Sequence, residues 1–327
     1  MDNRQAIAVL ETSTGVVATT TQGDIDALVE AWAAQLDCAE SSRSLYKRAL
    51  RQYFAWVNRT GRMLQYMNRA DIIAYKEGLM NGTSTADGKA KSSLTAASYL
   101  TAVKLFYKWM HSTNGLLTDI TEGVKLPKRQ NKFEREPLTN TQAQALTTEV
   151  ATASLRDAAI VNLLIRTGMR TIEVCRANIE DMQLMAGQVV LYVQGKGHTD
   201  KDNFVILTDK CRAAIADYLA TRPNAAPTEP LFTCDSRNNM GGRLTTRTIS
   251  GIAKEHLRAI GLDSRAHTAH SLRHTFGTRR LKQTNDFNLV QMELRHASPA
   301  TTQKYVYHID AERRIEAAQK HSIDNLY

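Results

Sequence analysis

The sequence has no framework for binding metal or forming disulfides: its four cysteines, Cys38, Cys175, Cys211 and Cys234, stand singly and make no CxxC pair. That argues against a zinc ribbon or a disulfide scaffold and suits a reduced cytosol. No segment reaches the roughly 18 apolar residues of a membrane span. The opening Met1 to Leu10 contains Asp2 and Arg4 and lacks the long apolar core of a signal peptide. No GxxxxGK[ST] loop is present to cradle nucleotide phosphates. Acids are missing locally. Residues 41–62 hold Arg43, Lys47, Arg48, Arg51, Arg59 and Arg62 with no Asp or Glu, and residues 89–111 hold Lys89, Lys91, Lys104 and Lys108, again with none. One-signed segments attract a polyanion, whereas a merely solubilising surface mixes both signs. With 42 Lys+Arg against 33 Asp+Glu, a net +9 over 327 residues, the favoured partner is nucleic acid.

The length fits two domains. Residues 1–21 are Thr/Ser-rich with little periodicity and read as a flexible tail. Behind Asp24, the residues Ile25, Leu28, Val29, Trp32 and Leu36 fall at helical spacing. Ser41-Ser42 reads as the cap of a second helix. Its Leu45, Ala49, Leu50, Tyr53, Phe54 and Val57 form one face, while Arg43, Lys47 and Arg51 line another, as expected of a DNA-facing helix. A third helix is predicted from about Ala70 to Met80 and a fourth from about Ser92 to His111, making a compact helical domain over residues 22–113. Gly115, Gly123, Pro127 and Pro137 then punctuate the chain. Residues 114–136 carry Lys125, Lys128, Arg129, Lys132 and Arg135 and read as a basic linker able to track a phosphate backbone.

After Pro137, Thr139 to Val150 reads as one helix and Leu155 to Arg166 as a second, apolar nearly all round and therefore buried. The latter ends at Gly168, a left-handed cap, and a short helix Thr171 to Arg176 comes next. Two β-like runs, Gln188 to Val193 and Asn203 to Leu207, read as a hairpin with a lysine-bearing tip. Helices are predicted at Lys210 to Leu219, Thr245 to Ile260, His270 to Lys282, Asn288 to Leu294, Pro299 to Tyr307 and Ala311 to Gln319.

Arg170 follows a buried helix through a glycine, which places its guanidinium at a defined point. A planar fork that stays charged suits a phosphodiester, although a surface arginine at a helix end is the ordinary alternative. Glu173, one turn on, either orients Arg170 or is a first-turn acid favoured by the helix dipole. In His270-Ser-Leu-Arg273-His274, a helix would put His270 and Arg273 on one face, pairing a proton-transfer group with a second clamp. His270 and His274 are also four apart, as two zinc ligands would be. The segment lacks the Glu of HExxH and no third ligand has suitable spacing, so no metal is expected. Lys196, between Gly195 and Gly197 at the hairpin tip, either reaches into a cleft or lies in solvent. His296 closes one amphipathic segment, and Tyr305 stands two turns into the next.

In chain order these are Arg, Lys, His-x-x-Arg, His and Tyr. At these residues the sequence resembles the tyrosine recombinase family, the phage-integrase-like site-specific DNA recombinases. The matches are Thr167-Gly168-Met169-Arg170 with Glu173, Gly195-Lys196-Gly197, His270-Ser271-Leu272-Arg273-His274, and Leu294-Arg295-His296 with Tyr305 nine residues further on. The resemblance covers Pro137 to about Tyr307, and the first domain more loosely through Thr95 to Trp109. Two departures stand out. The family commonly has Gly where Arg295 stands. Its hairpin usually continues Lys-Glu-Arg, where Lys201-Asp202-Asn203 stands here, which makes Lys201 a rival to Lys196. Tyr307 is a rival to Tyr305.

The resemblance implies a mainly α fold with a small antiparallel sheet, arranged as a two-domain C-shaped DNA clamp. A helical core-binding (SAM-like) domain, 22–113, and a catalytic domain, 137–327, would close on duplex DNA, with a terminal helix, 311–321, able to dock on a neighbour. It implies Tyr305 as nucleophile and Arg170, Arg273 and His296 as charge stabilisers. His270 is then the general base and Lys196 the acid that protonates the departing 5′ oxygen. The product would be a 3′-phosphotyrosyl enzyme. No metal and no cofactor is implied, and four protomers would act together on two double-stranded sites. The rival classes are a non-catalytic DNA-binding protein of the same fold and a type IB topoisomerase-like relaxing enzyme.

Overall fold

The computed structural model describes residues 22–113, 118–128, 135–195 and 200–320. The chain forms two compact units that divide between Lys132 and Phe133. Among the described residues, no helix is long and apolar enough to cross a membrane.

The first unit is a bundle of α1 (Gln22–Ala34), α2 (Glu40–Arg59), α3 (Arg69–Asn81) and α4 (Ser93–Ser112). Its core is aromatic. Phe106 takes the edges of Trp32 and Phe54 at ring separations of 6.2 and 5.4 Å, and the fully buried Tyr53 and Tyr107 join their hydroxyls at 2.7 Å. A buried phenol needs such a partner, and each satisfies the other. Asn68 caps α3 in a capping box with Asp71, and Gly82 ends it at φ 96°. The second helix starts earlier than Ser41-Ser42: Ala39 is the N-cap, and Glu40 opens the helix, where its charge meets the dipole and pairs with Arg43. Residues 119–124, expected in the linker, belong to this unit. Val124 is buried in its core, Lys104 donates to the Val124 carbonyl and Arg69 to that of Gly123.

The second unit surrounds α6 (Leu155–Thr167), which is apolar on most faces and packs against α8 (Asp209–Ala220) and α10 (Ala269–Thr284). α5 (Asn140–Ala151) precedes it behind a Thr139/Gln142 capping box, and α7 (Thr171–Arg176) comes after it. α9 (Thr246–Ala259), α11 (Phe287–Glu293) and α12 (Pro299–Lys320) complete the helices. The sheet has three antiparallel strands in the order β1 (Met182–Met185), β2 (Gln188–Val193), β3 (Asn203–Ile206). β1 adds to the expected hairpin. Ala186 and Gly187, at φ 48° and 78°, make the two-residue turn with both angles positive that fits sheet twist.

The last two predicted helices are one continuous α12. Nothing between Tyr307 and Ala311 breaks a helix, and Ile309, four residues after Tyr305, continues the buried face. Both residues join Leu281, Val290 and Leu294 in a satellite core beneath α10 and α11.

Candidate active site

Gly168 ends α6 at φ 62°, and its carbonyl and the turn after it begin the site. A Cβ there would lie 2.7 Å from Phe276 and 2.8 Å from Leu294, so both conformation and space require glycine. Met169 is buried, which sets Arg170 as the N-cap of α7. Glu173, fully buried, accepts the Arg170 backbone N–H at 2.8 Å and its Nη1 at 2.8 Å. Arg170 Nη2 donates to the Arg295 carbonyl at 3.1 Å, and the side chain keeps 28% exposure, enough to meet a ligand.

Arg273, on α10, is 1% exposed. It donates to the Gly168 carbonyl at 2.5 Å and to the Leu294 carbonyl. Burial, then the charge of Arg170, pushes it down to about 9, so the guanidinium stays protonated at neutral pH. The carbonyls of Leu294 and Arg295 thus each hold one of two arginines, and the turn after α11 is the frame of the site.

That turn delivers His296. Its backbone N–H donates to the Gln291 carbonyl at 3.1 Å and Gln291 Nε2 returns a bond to its carbonyl at 3.2 Å. Its Nδ1 shares a hydrogen bond of 2.8 Å with Thr302 Oγ1, from the buried face of α12. Burial first, then Arg273 and Arg170, holds its pKa at about 3, so the ring is neutral.

Tyr305 lies 3% exposed between two imidazoles. The His296 ring stacks at 6.1 Å and the His274 ring meets it edge-on at 5.4 Å. Its Cε2 and Cζ sit over Gly277 of α10, where a Cβ would come within 2.7 Å. Burial raises the phenol's pKa, and Arg273 and Arg170 pull it partly back. Tyr307 is 68% exposed on the other side of the helix.

His270 is exposed in the first turn of α10, and its ring packs edge-on against His274 at 4.9 Å. Desolvation by the side chains around the ring, then His274 and the charges of Arg135, Arg273 and Arg170, lower its pKa to about 3. His274, half-buried and lowered to about 4 by burial and then Arg135, is the ring that touches Tyr305. Lys196 lies outside the described residues. The base of its hairpin is held where Arg176 Nη1 donates to the Gly195 carbonyl at 2.9 Å. Lys201 is engaged by both oxygens of the buried Asp181, at 2.7 and 2.6 Å.

The expected DNA-contact residues divide. Arg43 pairs with Glu40, Lys47 with Glu30, and Arg51 with Asp26 and Glu30. Three cations expected to face outward are therefore tied to α1 and to their own first turn. Lys104 Nζ donates to a carbonyl, Lys125 and Lys128 are exposed, and Arg129 lies outside the described residues. Among the described residues, no cluster of three or more His, Cys, Asp or Glu is placed to hold a metal ion.

Sequence reasoning missed His274 as a neighbour of the phenol, Thr302 as the partner of His296, Gly277 as its floor and Arg295 as a member of the cluster. For Arg295 a signal existed: an arginine stands where the resembled family commonly has glycine, and its φ is 54°.

One buried guanidinium, a second that keeps part of its surface exposed, a neutral imidazole and a phenol lie together at this turn, a set of groups able to meet a phosphodiester. The sequence pattern of the phage integrase family matches residues 136–312. Among curated proteins, tyrosine recombinase XerC of Pelobacter propionicus is 34% identical over 224 residues, covering 68% of this chain and 70% of that protein. Tyrosine recombinase XerD of Caulobacter vibrioides is 28% identical over 306 residues, 91% of this chain and 96% of its own. Among solved structures, the XerH site-specific recombinase bound to palindromic difH substrate, a post-cleavage complex, shares the fold at a TM-score of 0.71 and 19% identity, covering 96% of this chain and 87% of the other. A lambda integrase dimer bound to a COC′ core site does so at 0.67 and 15% identity, covering 93% and 81%. This chain belongs to the phage integrase family of tyrosine recombinases. It is a site-specific recombinase that breaks and rejoins DNA strands.

Proposed function

We propose that Tyr305 is the nucleophile and that Arg170, Arg273 and His296 bind the scissile phosphate. The observation that carries this is the enclosure of the Tyr305 phenol between His274 and His296, on the face that Arg170 and Arg273 occupy. In cleavage the phenolic oxygen forms a bond to phosphorus, the P–O5′ bond breaks, and the protein is left linked to the 3′ phosphate. Negative charge gathers on the nonbridging oxygens. Fixed donors aimed there contribute about 3 kcal/mol each, by the magnitude known for oxyanion donors. If Nδ1 of neutral His296 accepts from Thr302, Nε2 carries the hydrogen and becomes such a donor.

The phenol must lose its proton and the 5′ oxygen must gain one. His270, acting beside His274, takes the first, and Lys196 supplies the second. Lys201 is committed to Asp181, which favours Lys196. Because the phosphoester bond energy is conserved in the phosphotyrosyl link, the 5′ hydroxyl of a new partner strand reverses the step without a nucleotide. Exchange proceeds on double-stranded DNA with four protomers on two paired sites, the exposed Lys125 and Lys128 tracking the backbone.

A 5′-bridging phosphorothiolate tests the acid, because a thiolate departs without protonation. Lys196→Ala will cleave an ordinary duplex slowly and the sulfur-substituted duplex at close to the wild-type rate. Rescue confined to Lys201→Ala would transfer the role to Lys201.

A further inference from the structure

Arg295 occupies a place that its backbone does not favour. At φ 54° it lies in the left-handed region, where an L side chain is strained and glycine is not. Its side chain is nevertheless 7% exposed and fully engaged. Nη2 donates to Glu173 Oε2 at 2.7 Å, Nε to Oε1 at 3.4 Å, and Nη1 to the Glu293 carbonyl at 2.6 Å. The same carboxylate holds the backbone and the guanidinium of Arg170, and the Arg295 carbonyl receives Arg170 Nη2. Arg295 and Arg170 are therefore joined twice, once through Glu173 and once directly. The neighbouring carbonyl of Leu294 holds Arg273, and the next residue is His296.

We infer that Arg295 is a positioning residue for strand cleavage, which clamps the turn 294–296 to Glu173 and so holds Arg170, Arg273 and His296 in one geometry before DNA binds. It is not a phosphate ligand: each donor group already has an acceptor, and almost none of the side chain reaches solvent. A glycine would relieve the backbone but leave the turn tethered to Glu173 only through Arg170. Local strain and site order thus oppose each other at this position, which separates this role from simple structural support.

The inference rests on the assignment of Tyr305 and Arg170 to the chemistry. The test compares Arg295→Gly, Arg295→Ala, Arg295→Lys and Tyr305→Phe in the full chain. The probe is a nicked duplex on which the wild type forms covalent adducts. Three quantities are read: melting temperature, duplex affinity by fluorescence anisotropy, and single-turnover adduct formation. Arg295→Gly will melt no lower than Arg295→Ala, bind within twofold of wild type, and form adducts at least tenfold more slowly. Arg295→Lys, which keeps a cation within reach of Glu173, will recover part of that rate. Wild-type cleavage by Arg295→Gly, parallel losses of affinity and rate, or a lysine no better than alanine would each overturn the inference. Adducts from Tyr305→Phe would bring down the site assignment and this inference with it. A silent Tyr305→Phe beside a fully active Arg295→Gly would sink the inference alone.

Discussion

Replacing Glu173 by glutamine removes the charge on which the arginine cluster turns while keeping the shape. The carboxylate is fully buried and accepts three close donors: the Arg170 N–H at 2.8 Å, Arg170 Nη1 at 2.8 Å and Arg295 Nη2 at 2.7 Å. The amide has one acceptor where two stood, and it leaves Arg295 buried without its counter-charge. Breaking one side of a buried pair costs about 3–5 kcal/mol. In a unit of this size each kcal/mol moves the midpoint by about 2–4 °C, so the expected loss is about 6–20 °C. The assay can be restricted to the right unit, because the three tryptophans, Trp32, Trp56 and Trp109, all lie in the first. Circular dichroism will show the loss, and tryptophan fluorescence will not. Burial alone would raise the Glu173 pKa, but Arg295 and the Arg170 N–H outweigh it and the net shift is downward. A depressed carboxylate stabilises the fold above its unfolded value and loses that contribution as pH falls through the folded one. The gap between wild type and variant will therefore persist from pH 8 to about 5 and close only below the ordinary carboxylate range. A midpoint shift under about 2 °C, or one seen equally by the tryptophans, would refute the reasoning.

Three further outcomes are expected. Gly277→Ala improves helix propensity by about 1 kcal/mol yet sets a Cβ 2.7 Å from the Tyr305 ring, so Tyr305 will leave its seat and become open to nitration, which peptide mapping reads. Unchanged protection would show that the ring does not rest there. His274 and His296 are lowered to about 4 and about 3, so below 6.5 the unfolded chain binds protons that the native chain does not. Stability will fall with pH by about 1.4 kcal/mol per unit for each ring, and His274→Asn will remove its share, as denaturant midpoints will reveal. Lys125→Ala with Lys128→Ala will reduce the salt slope of DNA binding by about one per lysine. Lys47→Ala with Arg51→Ala will change it less, because these two are paired with Asp26 and Glu30; equal effects would contradict the pairing.

The features legible from residue order were local. Gly168 marks a helix end by capping chemistry that acts within four residues, and the structure ends a helix there at φ 62°. β1 escaped because Met-Gln-Leu-Met has no β-branched residue and its turn is Ala-Gly. The expected division of α12 fails because Ile309 reads as a boundary residue in sequence, and only the satellite core shows it to be buried. The basic stripe of α2 looks free because residues 41–62 hold no acid; most of its acids come from α1, across the bundle. At the site, the candidate residues were legible by type and order, and the structure brings Arg170, Arg273, His296 and Tyr305 together. Their supports were less so: Thr302 and Gly277 matter through where helices meet and their types carry no chemical signature, while Arg295 showed only as a departure from the glycine common in the family.

The chemistry proposed for this chain turns on one oxygen atom. With a nicked suicide duplex, wild-type protein will trap a covalent adduct, and trypsin will release it on Tyr305-Val-Tyr-His-Ile-Asp-Ala-Glu-Arg313, the peptide between Lys304 and the next arginine. Fragmentation separates Tyr305 from Tyr307 within it. A nucleophilic Tyr305 requires a 3′-phosphate on that residue and no adduct from Tyr305→Phe; a phosphate on Tyr307, or an adduct that survives loss of the Tyr305 hydroxyl, would contradict it.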